Sequence, residues 1–168
     1  SDLGAEVQRN GNMVEIDASG VNKIELSPKF ANKFRASVMF VGPLLARFGE
    51  VKFPHPGGCV LGAGGRPIDL FLDGFKALGA EIQVLENYYH IKAKKIIGNT
   101  YFFTKISVTG TETLMMTAVL GQGVTVLKNC AMEPEIKALA DYLNGQGAKI
   151  AGAGTPTITI NGVKKIKA

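Results

Sequence analysis

The sequence predicts an α/β fold assembled from a repeated strand-helix-strand-helix-hairpin unit, and three observations carry that prediction. A short motif recurs, as Leu3-Gly-Ala-Glu-Val7, as Leu78-Gly-Ala-Glu-Ile82 and more loosely as Gly147-Ala-Lys-Ile150. Each copy leads into a β-hairpin pattern. The helices expected ahead of the second and third hairpins begin with proline and stop at glycine, the asymmetry of ordinary helix termini.

Taken along the chain, the first hairpin runs Glu6 to Arg9, turns at Asn10-Gly11 and returns from Met13 to Asp17; Asn-Gly between alternating runs is a strong hairpin signal. A long helix is expected from Phe30 to Phe48, followed by a short strand from Val51 to Phe53. Pro67 to Leu78 reads as the next helix, with Ile68, Phe71, Leu72 and Phe75 on one face and a stop at Gly79. The second hairpin follows from Glu81 to Leu85 and Tyr88 to Ala93, about Glu86-Asn87. A helix from Glu112 to Leu120 and a strand from Val124 to Leu127 repeat the pattern. Pro134 to Asn144 then carries Ile136, Leu139, Ala140 and Leu143 on one face and stops at Gly145. The last hairpin pairs Lys149 to Ala151 with Thr157 to Ile160. The chain opens directly on a hairpin, so residues 1–20 are expected to be the remnant of a truncated first repeat, with 21–95 the second and 96–168 the third.

Composition narrows the class. The 168 residues fit one domain or a large piece of one, and 46% hydrophobic content supplies a packed core. Two cysteines, Cys59 and Cys130, without a secretory signal or a longer apolar span, argue for a reducing compartment, read as cytoplasmic, and against a disulfide scaffold or a membrane protein. The net charge of +5 lies partly in two clusters, Lys92/Lys94/Lys95 and Lys164/Lys165/Lys167, which read as solvated strand ends. Nucleic-acid binding calls for a basic stripe interleaved with stacking aromatics, which is not the pattern here. Small anionic ligands fit the charge better.

The segment from Phe53 to Asp69 says most about chemistry. Glycines flank Cys59, Arg66 supplies a fixed positive charge, and Pro67 suits the first position of a helix whose free N–H groups attract anions. Such surroundings make a thiol reactive; the alternative is a small buried residue in a turn. Gly62-Ala-Gly-Gly65 fits neither the dinucleotide fingerprint nor the phosphate-loop lysine pattern. His55 and His90 read as a loop and a strand residue without metal-ligand spacing, so no metal is expected. Cys130 reads as buried and inert.

Phe34-Arg-Ala-Ser37, Gly42-Pro-Leu-Leu-Ala-Arg-Phe-Gly49, Pro56-Gly-Gly-Cys59, Arg66-Pro-Ile-Asp-Leu70, Lys105-Ile-Ser-Val108 and Glu133-Pro-Glu-Ile136 occur in that order across essentially the whole chain. In these segments the sequence resembles the enolpyruvyl transferases, on the branch that acts on UDP-N-acetylglucosamine. The resemblance implies an inside-out α/β barrel of βαβαββ repeats, about two of three repeats of one domain. It also implies an absent second domain, which carries the aspartate usually assigned as general base, and an absent lysine-asparagine pair. The implied activity is transfer of enolpyruvyl from phosphoenolpyruvate to the 3′-hydroxyl of UDP-N-acetylglucosamine in peptidoglycan synthesis, with no cofactor and with sensitivity to fosfomycin-type epoxides.

Residue by residue, the resemblance makes Cys59 the catalytic thiol and gives Arg35 and Arg66 the phosphate of phosphoenolpyruvate, to which a guanidinium donates two parallel hydrogen bonds. Arg66, Pro67, Ile68, Asp69 and Leu70 would hold the uracil end, and Lys105, Ser107, Val108 and Thr109 the diphosphate and uridine. Glu133 and Glu135 match acidic positions near the cleft. Each has a plainer reading. Arg35 can be a solvated helix residue, Asp69 and the Glu-Pro-Glu opening complement helix dipoles, and Thr109 with Glu112 forms a capping box. Three departures stand out: Val60 to Gly65 puts six residues between Cys59 and Arg66, two more than the family's usual spacing, Met132 stands where many relatives have arginine, and Thr109 where some have glycine. The alternatives are a UDP-sugar-binding or purely structural fragment that self-associates through its truncated edge, and a shikimate-pathway relative, although that sister group lacks the Pro-Gly-Gly-Cys loop.

Overall fold

The computed structural model describes residues 2–31, 33, 35–55 and 69–167. Strands β1 (Glu6–Asn10) and β2 (Met13–Asp17) form an antiparallel hairpin. Its turn is Gly11-Asn12, one residue later than expected, because Asn10 pairs with Met13 and Gly11 takes the left-handed conformation, φ 60. Cross-strand pairs Val7–Ile16 and Arg9–Val14 share a face, so Val7, Val14 and Ile16 form an apolar patch that stays 54–64% exposed.

Beyond the hairpin, residues 24–26 run parallel to β3 (Glu50–Pro54), with Leu26 N–H donating to the Lys52 carbonyl at 2.9 Å and Lys52 N–H to Ile24 at 2.8 Å. Between them the single helix expected from Phe30 to Phe48 is not formed. The chain makes a short helix α1 (Pro28–Ala31), a 3-10 stretch at Arg35–Phe40, and then α2 (Val41–Phe48). Pro43 explains the restart. A continuous α-helix would need Pro43 to donate to the carbonyl of residue 39 and would drive its ring into that turn. In the first turn of α2 the missing N–H costs nothing. The helix stops at Gly49, φ 73, whose N–H closes onto the Leu45 carbonyl.

Two sheets carry the remaining strands. Strand β3 pairs with β5 (Tyr88–Lys92), which pairs with β4 (Glu81–Val84), all antiparallel. In the second sheet β6 (Thr100–Phe102) lies parallel to β7 (Val124–Lys128), which pairs antiparallel with β9 (Thr157–Asn161) and through it with β8 (Lys149–Ala151). In both sheets the second strand of the hairpin lies in the middle. Alternation sets the buried face: Val51, Phe53 and Ile91 in one sheet and Thr125, Leu127, Ile150, Ile158 and Ile160 in the other point inward, while their neighbours face solvent.

Three more helices complete the packing. They are α3 (Asp69–Ala77), α4 (Val108–Val119) and α5 (Pro134–Gly145). Helix α4 is the hub, since α2, α3, α5 and the 3-10 stretch all pack on it. Its residues Gly110, Thr111, Thr113, Leu114, Met115, Thr117, Ala118 and Val119 are buried while Thr109, Glu112 and Met116 are half-buried along one stripe, so most of its circumference belongs to the core. Two glycines permit the crossings. A Cβ at Gly42 of α2 would sit 2.5 Å from Thr117 Oγ1 and 2.6 Å from the Thr113 carbonyl oxygen, and one at Gly74 of α3 would overlap the Leu114 side chain. Helices α2, α3 and α5 thus pack around α4, with α5 keeping Glu135, Lys137, Asp141 and Tyr142 in solvent.

Candidate functional site: the helix starts around the central helix

Helix α4 begins at Val108, a turn earlier than Glu112, because Ser107 is its N-cap: Ser107 Oγ accepts a hydrogen bond from Gly110 N–H at 3.1 Å. This replaces the expected Thr109–Glu112 capping box, and it fixes Lys105-Ile-Ser-Val108 against the helix start. Lys105 and Ile106 are exposed, while Ser107, Val108 and Thr109 are half-buried. A cation placed ahead of free helix N–H groups is a seat for an oxyanion.

Thr111 joins this start to a second one. Its buried hydroxyl donates to the Ser107 carbonyl at 2.9 Å and accepts from Ala131 N–H at 3.1 Å. Ala131 precedes Met132 and the start of α5, where Glu133 takes the N-cap position without a side-chain cap bond, Pro134 opens the helix and Glu135 lies in its first turn. Glu133 and Glu135 are both exposed. Burial, and secondarily the Glu135 charge, push the Glu112 carboxyl above the usual range. The starts of α4 and α5 are therefore in electrostatic contact.

A third start belongs to α3. Its first described residues are Asp69 and the half-buried Leu70, whose carbonyl accepts from Tyr101 Oη at 3.0 Å. Arg35 opens the 3-10 stretch that leads into α2 and packs on α4. Cys59, Arg66, Pro67 and Ile68 lie outside the described residues. Of the expected nucleotide residues, the fold brings the Lys105–Thr109 run next to the Glu133–Glu135 opening, and ties Leu70 to the strand leading into Lys105.

The remaining candidates sort by environment. His55 follows β3, its Nε2 3.3 Å from the Leu85 carbonyl and its ring edge-on to Tyr89. His90 is a β5 residue whose Nε2 lies 2.6 Å from Glu50 Oε1. Hydrogen bonding from His90, with Lys92 adding a smaller effect, holds the Glu50 carboxyl below its usual range. Among the described residues no group of three or more histidine, cysteine or acidic side chains could hold a metal ion. Cys130 is buried, and burial pushes its thiol up to about 11, which suits an inert packing residue. Among the described residues two open clefts share Phe48, Gly49, Ala93 and Lys94; one lies where α2 and α4 end and the other where α2 and α3 end.

Tyr101, Ile106 and Thr111 escape a sequence reading. Tyr101 sits in an aromatic run that reads as a core strand, and Ile106 stands exposed between two polar candidates. The Ser107-to-Thr111 spacing, one helical turn, is the one local signal, since a threonine there can bond back to the i−4 carbonyl.

The family model described as EPSP synthase (3-phosphoshikimate 1-carboxyvinyltransferase) matches residues 1–168. The chain is 51% identical over 162 residues to a UDP-N-acetylglucosamine 1-carboxyvinyltransferase of Desulforapulum autotrophicum, covering 96% of this chain and 38% of that protein. A protein of the same name from Geobacter metallireducens is 51% identical over 164 residues, covering 98% of this chain and 39% of its own length. The chain thus spans less than two-fifths of the curated relatives it matches. Among solved structures it is similar to the enolpyruvyl transferase NikO from Streptomyces tendae, with TM-score 0.76 and 18% identity over 96% of this chain and 38% of that one. It is also similar to EPSP synthase from Acinetobacter baumannii, with TM-score 0.70 and 15% identity over 99% of this chain and 38% of that one. The fold expected from the sequence is the one shared with these enzymes. With its match running from first residue to last, the chain belongs to the EPSP synthase family of enolpyruvyl transferases.

Proposed function

We propose that this chain is the cysteine-bearing part of an enzyme that moves the enolpyruvyl group of phosphoenolpyruvate onto the 3′-hydroxyl of UDP-N-acetylglucosamine, in the cytoplasm, for peptidoglycan synthesis. The hydroxyl oxygen adds to the phosphate-bearing carbon as the methylene takes up a proton; loss of that proton then expels phosphate. The observation that carries the reading is the Ser107-capped start of α4 with Lys105 exposed ahead of it, supported by about half-identity to relatives named for this activity. Lys105, Ser107, Val108 and Thr109 would take the diphosphate and uridine, together with Arg66, Pro67, Ile68, Asp69 and Leu70. Arg35 and Arg66 would grip phosphoenolpyruvate, and Cys59 would act as the catalytic thiol that fosfomycin-type epoxides alkylate. Glu133 and Glu135 would stand at acidic positions near the cleft.

Residues 1–20, 21–95 and 96–168 are read as one partial and two complete repeats of one catalytic domain. A second domain would supply the other wall of the cleft, so the chain by itself should bind nucleotide without measurable turnover, because stabilising the transition state requires both walls. Self-association is a second reading, favoured by the exposed Val7, Val14 and Ile16 face of the β1–β2 hairpin. Titrating UDP-N-acetylglucosamine, adding phosphoenolpyruvate and measuring phosphate release tests the proposal. Binding without release supports it, and absence of binding refutes the nucleotide role. Sedimentation of the same sample decides whether copies associate.

A further inference from the structure

Helix α3 is fastened at both ends to the chain that runs into β6. At its C-terminal end Asn99 Nδ2 donates to the Ala77 carbonyl at 3.0 Å, and Ile97 N–H to the Leu78 carbonyl at 2.9 Å. Toward its N-terminal end the tie among the described residues is Tyr101 Oη, on the Leu70 carbonyl at 3.0 Å. A carbonyl oxygen has two lone pairs, so this bond adds to the helix's own ladder without displacing it.

The phenol is well held. Tyr101 is half-buried, and its ring meets the fully buried Phe103 edge-on, with centroids 5.0 Å apart and planes at 81°. Burial, and secondarily the Asp73 charge, push its ionisation upward, so it remains a donor throughout the neutral range. Strand β6 ends at Phe102, and the chain reaches Lys105 three residues later. Tyr101 therefore ties Leu70, in the described part of α3, to the strand that leads into Lys105 to Thr109.

We infer that Tyr101 is a positioning residue for the nucleotide, fixing the first turn of α3 against the Lys105–Thr109 segment so that both engage one ligand at once. The inference rests on the functional reading above. A ligand that bridges two segments loses affinity when their spacing is not preset, because binding must then supply the ordering. Asn99 ties the same helix at the end remote from the ligand. Its bond should matter to the helix and not to the nucleotide.

Three versions of the chain distinguish these roles: the parent, Tyr101→Phe, which keeps the ring and removes the hydroxyl, and Asn99→Ala. Each is titrated with UDP-N-acetylglucosamine and followed by amide hydrogen exchange across residues 71–78. Loss of one neutral hydrogen bond should weaken nucleotide binding about fivefold in Tyr101→Phe. Exchange in the first turn of α3 should quicken in the same variant, while Asn99→Ala quickens exchange at the helix end and binds as the parent does. Equal binding by parent and Tyr101→Phe overturns the inference, as does unchanged exchange in the first turn. Equal weakening by Asn99→Ala also overturns it, because the effect would then be general loosening of the helix. A parent chain that binds no nucleotide refutes the functional reading itself, and the inference with it; that result appears before any variant is compared.

Discussion

Gly42→Ala should destabilise the protein although alanine is the better helix former. The glycine has an ordinary right-handed conformation, so no backbone strain opposes the change. Space does. The added carbon would stand 2.5 Å from Thr117 Oγ1 and 2.6 Å from the Thr113 carbonyl oxygen. Interiors packed at crystal density cannot absorb this, and the α2–α4 approach would have to open by roughly 1 Å. Overpacking of this kind costs about 1–3 kcal/mol. The Thr117 hydroxyl already donates to the Thr113 carbonyl at 2.7 Å, and disturbing that bond adds about 1 kcal/mol. Helix propensity returns about 1 kcal/mol, leaving a net loss of about 1–3 kcal/mol. Urea unfolding followed by circular dichroism should show the midpoint lowered by about 0.5–1.5 M at a slope near 2 kcal/mol/M. Gly145→Ala is the internal comparison, since nothing lies within 4 Å of a carbon built there; it should leave stability unchanged or raise it by up to about 1 kcal/mol. A Gly42→Ala midpoint equal to or above that of Gly145→Ala would refute the close-approach argument.

Thr111→Val keeps the shape of a buried side chain but leaves the Ala131 N–H unpaired, which should cost about 1–3 kcal/mol in the same assay, with Thr111→Ser recovering most of it. Cys130 should resist iodoacetamide at pH 8 in the folded chain and label fully in denaturant, as mass spectrometry will show. Because its folded thiol is raised from 9.0 to about 11, its contribution to stability is complete below pH 9 and is lost as pH climbs to 11. Glu112 has a raised carboxyl, so its contribution is present below about pH 4.5 and is lost as pH rises through the folded value. Glu112→Gln should therefore gain stability over the parent progressively between pH 4 and pH 7, with Glu135→Gln giving a smaller part of the gain; parallel pH–stability curves for parent and Glu112→Gln would contradict the assigned cause.

Hairpins and capped helices were legible because their signals are local. Glu86-Asn87 between alternating runs, or Pro134 with Gly145, specify an element within a few residues of themselves, and the observed strands and α5 fall within a residue or two of expectation. The helix expected from Phe30 to Phe48 forms as separate pieces, with the last restarting just ahead of Pro43, whose missing donor acts on the turn before it. The start of α4 was misplaced for a related reason. Ser107 and Thr109 are both competent caps, and the choice is settled by the buried Thr111 hydroxyl, which bonds back to the Ser107 carbonyl and outward to Ala131. That second bond spans twenty residues of sequence, and no window short enough to read periodicity contains it. The same limit hides Tyr101, whose bond to Leu70 spans thirty-one.

The misreadings and the candidate site have a common origin in α4. A helix buried around most of its circumference, with Thr111, Thr113 and Thr117 among its buried positions, is poorly placed by its own pattern, because polarity does not mark its outer face. It is placed by what surrounds it, with Gly42 and Gly74 setting how near α2 and α3 come and Thr111 setting where the α5 start sits. Those contacts, set deep in the core, determine the spacing of the Ser107, Leu70 and Glu133 helix starts at one end. Substitutions at the buried glycines should therefore move ligand affinity as well as stability, although neither glycine touches a candidate ligand residue. A stability loss in Gly42→Ala with nucleotide affinity untouched would show that the helix starts are positioned by their own loops and not by the core.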